Sequence, residues 1–282
     1  MPQIADYLRL VRIKNVILTA LAVLVGGWIA VPGRFSFFLY VGAASAALIA
    51  AGANAYNDAC DIEPDRINHP NRPLVTGSIS EKTAILFSLL VTVIGWLMGC
   101  LLLGWLFTIP IAIALLLLAY NRELKRKPWF GNIVVAFCGA MAPVFGAWIA
   151  GDVKLGAAPG FLTLLTFLLR ELAKDVEDLP GDRIAGYKTA PMTDSFFVFK
   201  VRFWLLSLLL AIGILQVIGD KDFYGFYFEM IAILTLVLLF TIIAMSITWG
   251  SNDITRSRRI SLLCKGILAI GMAMLVVGRI GV

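Results

Sequence analysis

The sequence predicts an all-α integral membrane protein with nine transmembrane helices. Hydrophobic residues make up 60% of the 282 residues and charged residues only 15%, and the mean hydropathy is +0.89. Soluble domains are about one-quarter charged. The apolar runs extend over the whole chain and are not confined to a single anchor. We therefore expect a multi-span protein that forms one domain over residues 1–282.

Nine apolar runs approach the length of a bilayer core, which takes about 20 residues per helix. Gly104 is the break between the third and the fourth run. The runs cover roughly residues 16–31, 37–57, 83–103, 105–120, 131–150, 157–173, 203–218, 227–248 and 261–280.

The basic residues predict the orientation, because Lys and Arg concentrate in cytoplasmic loops. With a cytoplasmic N-terminus, all but four of the 24 Lys and Arg residues fall on the cytoplasmic side. The exceptions are Arg34, Lys154, Lys221 and Arg279. We therefore expect the C-terminus on the outside. The net charge is +6. The basic residues lie in short loops beside apolar runs, where topology signals and headgroup contacts are found, so the charge does not indicate a nucleic-acid partner.

Two acidic stretches share the pattern D-x-x-D-x-x-x-D, and each follows an apolar run. Their aspartates are Asp58, Asp61 and Asp65 in the first and Asp175, Asp178 and Asp182 in the second. On a helix these offsets place three carboxylates on one face. Pro64 and Pro180 fall in the last gap of each pattern, so we expect each helix to end or bend there. The predicted topology puts both stretches on the cytoplasmic side.

A bound divalent cation would explain why a chain this apolar carries two acidic clusters. Carboxylates are hard oxygen ligands, and Asn57 adds an amide oxygen one turn before Asp61. Magnesium takes few protein ligands and completes its shell with phosphate oxygens and water. The alternative is a solvated helix cap balanced by Arg66 and Arg72. Two copies at the same spacing on one side favour the metal site.

Basic side chains near these stretches suit a phosphorylated ligand, because Lys and Arg bind the phosphate oxygens that a metal leaves free. Lys188 follows Asp182 much as Arg72 follows Asp65. Further candidates lie at the ends of the first and fourth spans: Arg12, Asn15, Tyr120, Arg122 and Lys125. The segment 120–127 serves equally well as a topology anchor.

Histidine and cysteine usage excludes several other kinds of site. His69 is the single histidine, which excludes a multi-histidine metal site and most Ser-His or Cys-His hydrolases. The four cysteines lie in or beside apolar segments without C-x-x-C spacing. We interpret them as small buried hydrophobic residues.

The sequence resembles the UbiA-type intramembrane prenyltransferase superfamily along nearly all of its length. The matching stretches are Asn57-Asp58-x-x-Asp61-x-x-x-Asp65, Asn71-Arg72-Pro73-Leu74, Tyr120-x-x-x-Leu124-Lys125, and the second acidic stretch followed by Tyr187-Lys188-Thr189. The paired acidic motifs are the specific part of this resemblance, since either motif alone would be weak.

The resemblance implies a nine-helix bundle around a central cavity, with both acidic motifs under a cytoplasmic cap. Magnesium, as two ions, would bridge the carboxylates to the diphosphate of an allylic prenyl donor. The donor would be ionised and its prenyl group transferred to a lipid acceptor. Membrane lipids surround such a protein, and we expect no obligate protein partner.

Residue roles follow from the same resemblance. The implied metal ligands are Asn57, Asp58, Asp61, Asp65, Asp175, Asp178 and Asp182. The implied catalytic residues are Asp61, Asp65, Asp178, Asp182, Lys125 and Lys188. The implied substrate-binding residues are Arg12, Asn15, Asn57, Arg72, Tyr120, Arg122, Lys125 and Lys188.

The second motif points to one branch of the superfamily. Its form, Arg170-Glu171-x-x-Lys174-Asp175-x-Glu177-Asp178-x-x-Gly181-Asp182, is most similar to the archaeal digeranylgeranylglyceryl phosphate synthase branch. That branch transfers a geranylgeranyl group to the free hydroxyl of geranylgeranylglyceryl phosphate and makes an ether lipid. An acceptor with its own phosphate would also employ the additional cytoplasmic Lys and Arg side chains.

The sequence leaves two alternatives open, one for the acceptor and one for the class of protein. The acceptor is alternatively an aromatic quinone precursor or a chlorin, prenylated by the same mechanism. A cation-coupled transporter is the rival from another class, although transporters place their ionisable residues near the bilayer midplane in broken helices.

The spacing of the acidic motifs also suggests a pseudo-repeat of about four helices, with motifs at 57–65 and 175–182.

Overall fold

The regular structure is entirely helical in the residues described by the computed structural model, which are 2–219 and 226–277. Side chains are described for these ranges except 217–231. Lys221 and Arg279 lie outside the described residues. The α-helices are α1 (Ile4–Leu10), α2 (Ile13–Ala30), α3 (Phe37–Cys60), α4 (Ile62–Asn68), α5 (Glu81–Gly99), α6 (Thr108–Arg122), α7 (Phe130–Ile149), α8 (Ala157–Glu177), α9 (Leu179–Ile184), α10 (Ala190–Thr193), α11 (Phe196–Gly219), α12 (Phe226–Ile247) and α13 (Ile254–Val277).

Eight helical segments in the described ranges are long and apolar enough to cross a bilayer. They coincide with eight of the predicted runs, and the chain is a multi-pass membrane protein. The run at 227–248 corresponds to α12, in which the shorter apolar segment Ala232–Ile247 has described side chains. The ninth span therefore stays a prediction.

Apolarity locates the helices but not all of their ends. Helix α11 begins at Phe196 and α13 at Ile254, well before the predicted runs that start at 203 and 261. The first turns of α13 are charged, and charged residues remain helical where a span emerges from lipid. Gly104 separates α5 from α6 as expected, with a φ of 62° that glycine adopts without strain.

Large apolar side chains cover the outside of the bundle. Leu86, Leu97 and Phe240 are each more than half exposed. In contrast, Leu169 on α8 and Phe203 on α11 are fully buried in the largest interior cluster. An apolar exterior around an apolar interior fits a helix bundle surrounded by lipid.

Each acidic motif spans a joint between a long and a short helix. Asp61 separates α3 from α4, and Asp178 separates α8 from α9. The prediction that one helix face carries all three aspartates is wrong, because the last aspartate of each motif lies on the following helix. The predicted end of each long helix near Pro64 and Pro180 is confirmed. The joints precede the two prolines, since proline fits the first turn of a new helix, where no N–H is needed.

Helices α2 and α7 touch backbone to backbone through two glycines. A Cβ atom on Gly26 would lie 2.0 Å from the carbonyl oxygen of Pro143, and one on Gly146 would lie 1.8 Å from that of Val23. Membrane helices approach this closely where the side chain is absent. This contact fixes the position of α2, which brings Arg12 to the first acidic motif.

We expect Gly146→Ala to destabilise the bundle by about 1–3 kcal/mol, because the methyl group forces α2 and α7 apart. Thermal unfolding in detergent, followed by circular dichroism, measures the effect. Gly266→Ala is the matched control, since its Cβ would meet its nearest neighbour, Leu238 Cδ1, at 3.9 Å. Equal unfolding temperatures for the two variants would contradict the close approach.

Candidate active site

The side-chain amide of Asn68 joins the two acidic motifs. Its Nδ2 donates to the backbone carbonyl of Asp178 at 2.7 Å, and its Oδ1 accepts from the backbone N–H of Gly181 at 3.0 Å. N–H groups in the first turn of a helix have no partner within that helix. A Cβ atom on Gly181 would lie 2.4 Å from the carbonyl oxygen of Pro64. Helices α4 and α9 are therefore held directly against each other.

One cavity of about 330 Å³ receives side chains from both motifs. Small-molecule sites start at about this volume. Its polar end, which we call the acidic end, is lined by Asn57, Asp61, Asp65, Arg72, Lys125, Asp178, Asp182 and Tyr187. The remaining wall is mostly apolar and includes Ile49, Ile113, Phe145, Phe167 and Leu268.

Two arginines enclose Asp58, which is 2% exposed. The carboxylate accepts from Arg12 at 2.7 Å and from Arg72 at 3.0 Å. Arg72 also pairs with Asp65, which lines the cavity. Asp58 does not line the cavity, so it anchors the two arginines from behind. Removing it would leave Arg12 without its carboxylate partner and Arg72 with Asp65 alone.

Asp61 contacts segments that are far apart in the sequence. Lys125 pairs with Oδ1, and the Tyr187 hydroxyl donates to the same oxygen at 3.1 Å. Asn57 Nδ2 donates to Oδ2 at 2.9 Å and also to Asn121 Oδ1 at 2.9 Å. The carboxylate is therefore fixed by Asn57 on α3, by the segment that follows α6 and by the loop that follows α9.

Asp178 is buried between two bases. Lys174 Nζ lies 2.9 Å from Oδ2, and His69 Nε2 lies 3.2 Å from Oδ1. Burial by itself would raise the pKa of this carboxyl, but Lys174 and His69 outweigh burial and hold the pKa of Asp178 well below its usual range. Asp178 is therefore ionised at neutral pH, and the single histidine connects the first loop to the second motif.

Two other cavity carboxylates are incompletely neutralised. Within residues 2–219 and 226–277, the Asp182 side chain forms no hydrogen bond or ion pair, and burial together with the charge of Asp178 raises its pKa to about 7. Burial raises the pKa of Asp65 to about 6 despite its contact with Arg72. Because burial is the first cause of both shifts, a cation bound beside these carboxylates would lower the pKa of each.

The other predicted site residues divide into two groups. Asn15 and Tyr120 line the cavity, as does Asp175, which accepts a hydrogen bond from Asn132 at 2.9 Å. Arg122 and Lys188 are exposed and are not part of the cavity wall. The structure therefore does not bring these two basic residues to the acidic end.

Sequence reasoning missed the asparagines that organise the site. Asn121 and Asn132 are 2% and 7% exposed and lie at the ends of apolar helices. A buried polar residue in a span is a functional signal that was available in the sequence. Asn68 offered no such signal, because an asparagine in a polar loop is commonplace.

The carboxylates fit magnesium that is shared with a phosphorylated ligand. Among the described residues, no group of three or more His, Cys, Asp or Glu side chains is close enough to hold a metal ion by itself. Magnesium is usually held by one or two carboxylates and by substrate phosphates. The acidic end supplies hard oxygens from Asp61, Asp65, Asp178 and Asp182 in one place.

Known proteins share this sequence pattern and this fold. Residues 19–276 match the UbiA prenyltransferase family. A digeranylgeranylglyceryl phosphate synthase of Methanococcus aeolicus is 35% identical over 214 residues, which cover 74% of this chain and 76% of that protein. A solved structure described as digeranylgeranylglyceryl phosphate synthase has a TM-score of 0.78 at 24% identity and covers 99% of both chains. A UbiA homologue from Archaeoglobus fulgidus, bound to GPP and Mg2+, has a TM-score of 0.67 at 19% identity and covers 96% of this chain and 99% of that one.

We expect Asn68→Ala to loosen the contact between α4 and α9, because it removes the acceptor of the Gly181 N–H and the donor to Asp178. Hydrogen exchange measured by mass spectrometry should show faster exchange in peptides that cover 179–186. Asn71→Ala, an exposed asparagine of the same loop, should leave that exchange unchanged. Identical exchange in both variants would show that Asn68 does not hold the motifs together.

Proposed function

This chain belongs to the UbiA prenyltransferase family, and we propose that it transfers a geranylgeranyl group from its diphosphate to the free hydroxyl of geranylgeranylglyceryl phosphate. The main support is the cavity, in which carboxylates of both acidic motifs line one end of a mostly apolar chamber. The choice of acceptor is supported by the Methanococcus aeolicus relative, which matches 74% of this chain.

The charges of the acidic end suit the ionisation of a prenyl diphosphate. When the bond between C1 and the diphosphate oxygen breaks, negative charge develops on the leaving group, and groups that stabilise that charge lower the barrier. Arg72 and Lys125 already reach the acidic end. In the presence of a ligand they would exchange carboxylate oxygens for phosphate oxygens, which are equally good partners.

The hard-oxygen donors of the acidic end would hold magnesium, as two ions that bridge the diphosphate. Magnesium supplies positive charge for the diphosphate oxygens when it is bound. The relative from Archaeoglobus fulgidus that is bound to GPP and Mg2+ supports this assignment. The ligands we propose are Asn57, Asp61, Asp65, Asp178 and Asp182, with Asp175 at the edge of the site. Asp58 takes the supporting role of anchoring Arg12 and Arg72.

The apolar part of the cavity suits the prenyl chain and the allylic cation. Water would capture such a cation, so the reaction needs a dry chamber. The rings of Tyr120, Phe145 and Phe167 line the cavity and can stabilise a cation over their faces. The acceptor hydroxyl oxygen then bonds to C1, an ether forms, and diphosphate and the hydroxyl proton are released.

We place the acidic end on the cytoplasmic side of a single domain that covers 1–282. The distribution of Lys and Arg supports a cytoplasmic N-terminus, an external C-terminus and nine spans, with α12 as the eighth. Helices α4 and α9 and their loops would form the cap over the cavity. The pseudo-repeat is supported by the shared design of α3–α4 and α8–α9, in which an aspartate joins a long helix to a short one.

The alternatives are an aromatic quinone precursor or a chlorin as acceptor, and a cation-coupled transporter. A transporter would place its ionisable residues near the bilayer midplane. Here the carboxylates of both motifs gather at one end of the cavity, which favours the enzyme.

We expect Asp61→Asn and Asp178→Asn each to lower kcat by about 100-fold or more, because each removes a charge that positions magnesium on the leaving group. Release of diphosphate from geranylgeranyl diphosphate, measured with purified protein and magnesium, tests this. Glu63→Gln is the control, since the Glu63 side chain lies in the same motif but is 75% exposed. Wild-type turnover in either aspartate variant would exclude a magnesium site at the acidic end.

A panel of acceptors tests the substrate. With geranylgeranyl diphosphate and magnesium, the protein should convert geranylgeranylglyceryl phosphate to the diether, detected by mass spectrometry. Prenylation of an aromatic acid or a chlorin, with no diether, would contradict the proposed acceptor. Magnesium-independent ion flux across vesicles, with no prenylated product, would instead support the transporter.

A further inference from the structure

Three basic residues that line the cavity lie on α8 and α13, at backbone positions deeper in the bundle than Asp178. They are Arg170 and Lys174 on α8 and Lys265 on α13, and we call them the basic trio. Lys265 forms no hydrogen bond and no ion pair with any residue in the described ranges 2–219 and 226–277. A cation without a protein partner, in a cavity that reaches into an apolar bundle, indicates a place for an anion.

An ion pair at the start of α13 shows how far into the bundle the basic trio lies. Arg258 Nε lies 2.9 Å from Glu177 Oε1, so the first turns of α13 contact the last turn of α8. Because α13 also packs along α8, the two helices run in opposite directions. Arg170 precedes Glu177 by seven residues, and Lys265 follows Arg258 by seven. Seven residues span about two helical turns, which is a rise of about 10 Å along the helix axis. Arg170 and Lys265 therefore lie at the same depth on facing helices.

Among the described residues, Lys265 is the member of the trio that has no carboxylate partner of its own. The groups that act on Lys265 are the cations of Arg170, Arg12 and Lys174 and the carboxylate of Glu171. Glu171 is already paired with Arg170, and Lys174 is paired with Asp178. An anion bound beside Lys265 would offset the positive charges that surround it.

The depth of the trio matches the level at which the acceptor reacts. Along α8, Lys174 lies about 6 Å and Arg170 about 12 Å further into the bundle than Asp178. A donor whose diphosphate is held at the acidic end presents C1 just inside the carboxylates. In a glycerol phosphate lipid, the free hydroxyl is on the carbon next to the one that carries the phosphate. A hydroxyl that meets C1 therefore brings its phosphate to the level of the trio.

We propose that the basic trio binds the phosphate monoester of the acceptor lipid and selects phosphorylated acceptors over neutral ones. This inference rests on the proposed function and deepens it. The donor phosphates have their own partners in Arg72 and Lys125 at the acidic end, and Lys174, which is paired with Asp178, lies between the two anions. An aromatic or chlorin acceptor without a phosphate would leave Lys265 unpaired.

The test compares Lys265→Gln with the wild-type protein on two acceptors, geranylgeranylglyceryl phosphate and geranylgeranylglycerol. Loss of one charge-assisted contact should raise KM for the phosphorylated acceptor by about tenfold or more. KM for geranylgeranyl diphosphate and turnover of the neutral acceptor should stay within about twofold of wild type. Lys265→Arg should retain most of the affinity, because it keeps the charge.

Two controls separate binding from structure. Arg259→Gln removes one charge from the same helix at an exposed position outside the cavity wall and should behave as wild type. Hexadecyl phosphate should compete with the acceptor in the wild type and only weakly in Lys265→Gln, whereas hexadecanol should compete equally in both. If Lys265→Gln does not fold in detergent, Arg170→Gln replaces it under the same criteria.

The inference is overturned if Lys265→Gln raises KM for the donor instead, or leaves KM for the phosphorylated acceptor unchanged. Failure of the proposed function gives a different result, because the wild type would then make no diether at all. A wild-type protein that accepts both acceptors with equal kcat/KM would also overturn the selection of phosphorylated lipids.

Discussion

Aspartates from two motifs can share one end of a cavity in an apolar bundle only if positive charge separates them. Carboxylates repel one another at short range, and burial adds to the free energy of each charged form. The structure meets this constraint with bases from several elements: Arg12 from the start of α2, Arg72 from the loop after α4, Lys125 from the segment after α6 and Lys174 from α8. The Asn68 amide then joins the two motifs by hydrogen bonds to backbone groups, which carry no net charge.

The same ion pairs explain how the site can accept a diphosphate with its cations. A base that holds a carboxylate in the absence of ligand is already at the position from which it can hold a phosphate oxygen, so little reorganisation is needed. Asp58 keeps Arg12 and Arg72 in place throughout, because it lies behind the cavity wall. Deeper in the bundle, Arg170 is paired with Glu171 and Lys174 with Asp178, which leaves Lys265 without a partner among the described residues.

Patterns that depend on local physics were predictable from the sequence, and contacts between distant segments were not. The apolar runs located eight of the spans, and the spacing of the aspartates located the acidic end. The break of each helix near Pro64 and Pro180 was predicted, but the start of a new helix directly after Asp61 and Asp178 was not, because proline in the first turn of a helix and proline at its end look alike in a sequence. Asn68 and Lys265 gained their roles only from the packing of α4 on α9 and of α13 on α8, which no single segment encodes.

The central claim is that both acidic motifs act on a single phosphorylated ligand. A crystal grown with manganese in place of magnesium, and with an unreactive thiolo analogue of geranylgeranyl diphosphate, tests it most directly through the anomalous signal of the metal. The account predicts two manganese peaks bridged by one diphosphate, one against Asp61 and Asp65 and the other against Asp178 and Asp182. Peaks at only one motif, or a diphosphate that contacts only one of them, would contradict it.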